Sequence, residues 1–91
     1  MTETVCDNAA LKRFELEAGG HTGFLYYRVD PGKITLMHTE VPPAIGGRGV
    51  GSALVRGALE AIRAKGLKVV ATCSFVAAYM GKHPEFNDLI A

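Results

Sequence analysis

The hydrophobic pattern of this chain changes period at one place, and that change limits the fold more than any other feature. Before Gly46-Gly-Arg-Gly-Val-Gly51 apolar residues alternate with polar ones, as in strands; after it they recur every three to four residues, as in a helix. Between Lys12 and Ala18, Phe14, Leu16 and Ala18 take one side and Arg13, Glu15 and Glu17 the other. Gly19-Gly20 supplies a turn, and Thr22 to Val29 reads as a second strand rich in aromatics. Asp30-Pro31-Gly32 turns the chain again into a third strand, Lys33 to Val41, which Pro42-Pro43 ends because proline cannot donate to a ladder.

From Val50 to Lys65 the apolar positions Val50, Leu54, Ala58 and Ile62 mark one helical face, with Arg56, Glu60 and Arg63 opposite and Gly66 at the end. Gly57 costs this helix about 1 kcal/mol relative to alanine, which predicts compensation by close packing against the sheet. Leu67 to Cys73 is short and mostly apolar, as expected of a central strand covered on both faces and reached by a crossover. Ser74 is placed to cap a second helix, Phe75 to Lys82, and Glu85 to Ile90 follows Pro84. The prediction is a mixed-sheet α/β fold: an antiparallel three-strand meander, a crossover helix, a parallel fourth strand and a C-terminal helix.

Ninety-one residues close one core. The expected division is an N-terminal tail over 1–10 and a domain over 11–91. Ten basic and nine acidic residues give a formal charge of +1, which builds no field for a nucleic-acid backbone. No apolar run approaches the ~20 residues of a membrane helix, and Met1 to Asn8 lacks the basic and apolar regions of a secretory signal, so the expected location is cytoplasmic. Cys6 and Cys73 are then expected as free thiols. No two of the histidines and cysteines stand at a zinc-ligand spacing, and no metal site is expected.

The glycine cluster excludes two readings. A nucleotide P-loop needs a lysine before Ser52, which is missing; a dinucleotide fingerprint needs a third glycine where Ser52 stands. Two readings stay open. Glycines between a strand and a helix let backbone N–H groups converge on one anion at the positive end of the helix, or they form a flexible turn with no ligand.

The loop and helix, Gly46-Gly-Arg-Gly-Val-Gly-Ser52 onward, resemble the acyl-CoA pyrophosphate loop of the GCN5-related N-acetyltransferase superfamily, whose pattern is Gln or Arg, two variable residues, Gly, one variable residue, then Gly or Ala. Gly49 and Gly51 match its last two positions, and Gly46 stands where the pattern has Gln or Arg. His38-Thr-Glu-Val-Pro-Pro43, Gly66-Leu-Lys-Val-Val70, Cys73-Ser-Phe-Val76 and His83-Pro-Glu-Phe86 are similar to the very short GNAT-like proteins that hold little beyond an acetyl-CoA-binding core. The resemblance implies a minimal GNAT-like fold, acetyl-CoA as co-substrate and an amine acceptor of unread identity. It places Val41, Gly46, Gly47, Arg48, Gly49, Val50, Gly51 and Ser52 along the CoA, with pyrophosphate on the loop and the pantetheine arm near Val41.

Cys73 falls where a parallel strand meets a helix N-terminus, a position that favours a thiolate. The resemblance adds the role of an acyl-accepting nucleophile; a buried small hydrophobe is the alternative. His38 and Glu40 share the strand parity of Ile34 and Leu36 and are therefore expected on the apolar side. By the resemblance Glu40 is the candidate general base and His38 the second, against structural roles for both. The resemblance gives Tyr79 one further option, protonating a leaving thiolate, against packing in the core. Three functions remain: acetyl transfer, a CoA-binding module with little catalysis, and a small interaction domain.

Overall fold

The computed structural model describes residues 4–47 and 49–91; the expected site residue Arg48 lies outside them. Five strands form one sheet in chain order. They are β1 (Cys6–Asn8), β2 (Arg13–Ala18), β3 (His21–Asp30), β4 (Lys33–Glu40) and β5 (Lys68–Ala71), with helices α1 (Val50–Ala64) and α2 (Ser74–Lys82). Strands β1 to β4 run antiparallel to one another in succession, and β5 runs parallel to β4 after the α1 crossover. Short 3-10 segments cover Pro43–Ile45 and Pro84–Leu89.

The mixed sheet, meander, crossover and final helix follow the sequence pattern. Gly19, Gly20 and Gly32 take positive φ in the two turns, the conformation that glycine adopts without a Cβ penalty. The alternating residues Phe14, Leu16, Leu25, Tyr27, Ile34 and Leu36 join Leu54, Val55, Leu59, Ile62, Val76 and Phe86 in one buried core. On the other face Arg13 lies over the Phe24 ring at 4.1 Å and pairs with Glu15 at 2.7 Å.

Four details differ from the expectations. Residues 6–8, expected in a tail, add β1 to the sheet edge. Asp7 ties it down: its carboxylate accepts from the Tyr27 hydroxyl at 2.5 Å and from Lys65 Nζ at 2.7 Å. Second, Gly57 is matched not to the meander strands but to Val5, ahead of β1; a Cβ at 57 would stand 2.7 Å from Val5 Cβ. Third, β5 is an edge strand among the described residues, met on its open side by an isolated parallel bridge from Ile90 to Val69 and by the Ala91 N–H donating to the Val69 carbonyl at 3.0 Å. Its apolar character suits a strand with Val69 buried and Val70 and Ala71 half-buried, which composition does not separate from a central strand. Fourth, the N-cap of α2 is Cys73, with Ser74 the first helical residue.

Candidate active site

The site begins where β4 and β5 part. Their pairing ends at Leu36 and Ala71. The Leu36 carbonyl then accepts from the backbone N–H groups of Thr72 and Cys73, at 3.1 and 3.2 Å, and from the Thr72 hydroxyl at 3.3 Å. Beyond this knot β4 runs on to Glu40 without β5 beside it, while the chain after β5 turns into α2.

A β-bulge reverses the parity of β4 at the same point. Tyr27 faces Leu36 and Tyr26 faces His38, so Met37 is the extra residue. Residues directly opposite each other share a face. Thr39, opposite the buried Leu25, therefore joins the core face, whereas His38 and Glu40, opposite Tyr26 and Phe24, leave it. The expectation that His38 and Glu40 point to the apolar side is corrected by this one inserted residue. Their side chains are more than half exposed and paired with each other, His38 Nε2 lying 3.4 Å from Glu40 Oε2, with the His38 ring stacked on Tyr26.

Thr39 meets Cys73 across the opening, Oγ1 to Sγ 3.4 Å. Cys73 is half-buried and free of any disulfide. Burial pushes its thiol pKa up, but the Thr39 hydroxyl and the backbone N–H groups of Val76, Phe75 and Thr39 favour the thiolate and bring it below the ordinary value. Two of those N–H groups belong to the first turn of α2, the physical reason a strand-to-helix junction suits a reactive thiol.

Past the end of β4 the glycine loop leads into α1. Gly47 and Gly49 take φ of 81° and 73°, and Gly49 is the N-cap of the helix in the left-handed conformation. No acidic residue stands in the first turn of α1 to offset the positive end of its dipole. Val41, Gly46, Gly47, Gly49, Val50, Gly51 and Ser52 line one groove of about 240 Å³, which brings together all the expected loop residues that the structure describes. Ile45 and Phe75 complete it. Phe75, 43 % exposed, packs over Gly51, where a Cβ would stand 2.8 Å from its Cζ. Sequence reasoning missed Phe75; its signal is a large apolar residue on the exposed side of a helix start. Thr39 carried no signal, because the simple strand parity turns it outward.

Tyr79 is turned to another task. Its hydroxyl accepts from Arg56 of α1 at 3.2 Å and its ring stacks on His83 at 3.9 Å; no hydrogen bond joins it to Cys73 or Thr39. Among the described residues no three His, Cys, Asp or Glu side chains cluster to hold a metal, and no helix is long and apolar enough to cross a membrane.

The comparisons with known proteins agree with this geometry. The family model for GCN5-related N-acetyl-transferase matches residues 13–89. The protein NATD1 of Homo sapiens is 37% identical over 60 residues, covering 66% of this chain and 53% of the human protein. NATD1 of Xenopus tropicalis is 35% identical over 60 residues, with 66% and 55% covered. The chain thus spans about half the length of the curated relatives it matches. An NMR solution structure of a GCN5-like protein from Staphylococcus aureus superposes with a TM-score of 0.69 at 30% identity, covering 88% of this chain and 81% of that one. With a family model matched over most of its length and a mixed sheet that parts beside a glycine-led helix, this chain belongs to the GCN5-related N-acetyltransferase family.

Proposed function

We propose that the protein transfers an acetyl group from acetyl-CoA to an amine. The observation that carries the reading is the groove at the start of α1, where the described glycines of the loop, Val41 and Ser52 share one concave surface. Gly47 and Gly49 carry no side chain that would fill it, and a Cβ at either would meet open space, so backbone N–H groups can approach an anion closely. Acetyl-CoA supplies a diphosphate of suitable charge and an acetyl thioester, an electrophile that needs no metal. The residues fit it: the loop takes the diphosphate, with Arg48 proposed alongside; Val41 flanks the arm; and the opening between β4 and β5 receives the thioester near Cys73.

Two routes serve the transfer. In one, the Cys73 thiolate accepts the acetyl group and passes it to the amine. In the other, the amine attacks directly, with Glu40 as base and His38 beside it. The half-buried, hydrogen-bonded Cys73 supports the first; the solvent-facing His38–Glu40 pair, turned to the other sheet face, gives the second less support. The reading places the reaction in the cytoplasm.

Isotope-labelled acetyl-CoA followed by intact mass tests this on wild type, Cys73→Ala and Glu40→Gln, with melting curves recorded beside it. The reading expects a higher melting temperature with acetyl-CoA and an acetyl adduct lost in Cys73→Ala. Binding without adduct or turnover over an amine panel would make the protein a CoA-binding module. No melting shift at saturating acetyl-CoA would overturn the reading.

A further inference from the structure

We infer that Thr39 positions the Cys73 thiol and holds its thiolate through the Thr39 hydroxyl, an inference that rests on the reading of Cys73 as acetyl acceptor. The bulge at Met37 supports it. Without that extra residue Thr39 would face away from the core and His38 would stand in its place; with it, Thr39 Oγ1 comes to 3.4 Å from Sγ. The Leu36 carbonyl fixes the backbone of Thr72 and Cys73 from the same strand, so the two sides of the contact are tied to one another just below the opening. The groups facing Sγ from β4 and α2 are the Thr39 hydroxyl and the N–H groups of Thr39, Phe75 and Val76. Among the described residues no charged side chain hydrogen-bonds to the thiol, and His38 and Glu40 lie on the other face of β4. Among the described residues the hydroxyl is thus the side-chain partner of Sγ, able to donate to it as thiolate, and its removal leaves the backbone N–H groups in place.

The hydroxyl matters in both halves of the reaction. In the first, the Sγ lone pair attacks the acetyl carbonyl carbon: the bond from that carbon to Sγ forms, its bond to the CoA sulfur breaks, and the departing CoA thiolate takes a proton from water. In the second, the amine nitrogen bonds to the acetyl carbon, the bond to Sγ breaks with its electron pair returning to sulfur, and the nitrogen loses a proton to water. Sγ bears negative charge at the start of the first half and the end of the second. A donor fixed against it serves at both moments.

The test uses the full chain with Cys6→Ser, so that Cys73 is the only thiol, and adds Thr39→Val or Thr39→Ser. Alkylation of Cys73 by iodoacetamide is followed from acid to alkaline pH, and acetyl adduct formation from acetyl-CoA is timed in the same proteins. Thr39→Val is expected to move the alkylation profile upward by about one pH unit, with thiolate about tenfold scarcer at neutral pH, and to slow adduct formation. Thr39→Ser is expected to restore both. The inference is overturned by an unmoved profile in Thr39→Val, or by a Thr39→Ser protein that melts like the parent yet keeps the defect. If the profile responds to Thr39 but no acetyl adduct forms in any variant, the thiol-positioning role stands and the acetyl-acceptor reading falls.

Discussion

The Phe75 ring lies on Gly51, closing the outer side of the groove at the start of α1. The contact joins the first turn of one helix to the first turn of the other, so the glycine that lets the loop approach a ligand also seats the ring. Gly51→Ala would put its Cβ 2.8 Å from Phe75 Cζ, and because the ring is 43 % exposed it can swing outward. The expected result is a stability loss below about 1 kcal/mol, with acetyl-CoA affinity reduced about tenfold or more, read by melting curves and calorimetry. Equal affinity in wild type and variant would contradict the role given to this wall.

Gly49 sets a different limit. Its φ of 73° caps α1, and a Cβ there meets nothing within 4 Å, so alanine would pay for conformation and not for space. Gly49→Ala is expected to cost about 1 to 2 kcal/mol in denaturant unfolding. A variant as stable as wild type would show that the loop relaxes out of the left-handed region.

Gly57 and Val5 form a coupled pair. Gly57→Ala alone is expected to lower stability by about 1 to 3 kcal/mol through overpacking, although alanine is the better helix former. With Val5→Gly also present, the same substitution is expected to become neutral or stabilising by up to about 1 kcal/mol. Additive effects in the four proteins of the cycle would contradict the contact.

Asp7 gives β1 a pH-dependent hold. Its burial raises the carboxyl pKa, and hydrogen bonds from Lys65 and Tyr27 outweigh that and bring it below the ordinary 3.8. Its contribution is therefore complete above that value and is lost as pH falls through the lower folded-state value. Tyr27 moves the opposite way: burial first, then Asp7, raise it from 10.0 to about 12, so its contribution is lost as pH climbs between those values. Asp7→Asn is expected to cost about 1 to 2 kcal/mol at neutral pH and to flatten the acid limb of a stability profile; Tyr27→Phe is expected to flatten the alkaline limb. Unchanged limbs would contradict these assignments.

Strands β2 to β4, the turns and the crossover were legible because each depended on local pattern: Phe14, Leu16 and Ala18 alternate, Gly19-Gly20 turns, and Leu54, Ala58 and Ile62 recur at helical spacing. The glycine loop was legible as one unit, and the structure gathers its described members in one groove. What pattern could not carry was register. One bulged residue, Met37, moves Thr39 inward and His38 and Glu40 outward, and nothing in Leu36-Met-His-Thr-Glu40 marks it. Packing from afar was equally unreadable. Val5 needs Gly57, and Asp7 needs Tyr27 and Lys65, partners 52, 20 and 58 residues along the chain that only the folded sheet brings together.

The central claim is that the loop before α1 holds the diphosphate of acetyl-CoA, and amide chemical-shift mapping tests it most directly. On ¹⁵N-labelled protein titrated with CoA, the largest shifts are expected at the N–H groups of Gly46, Gly47, Gly49, Val50, Gly51 and Ser52, with smaller ones at Val41, Cys73 and Phe75. Saturating CoA that leaves these amides unmoved, or that shifts a different surface of the sheet, would contradict it.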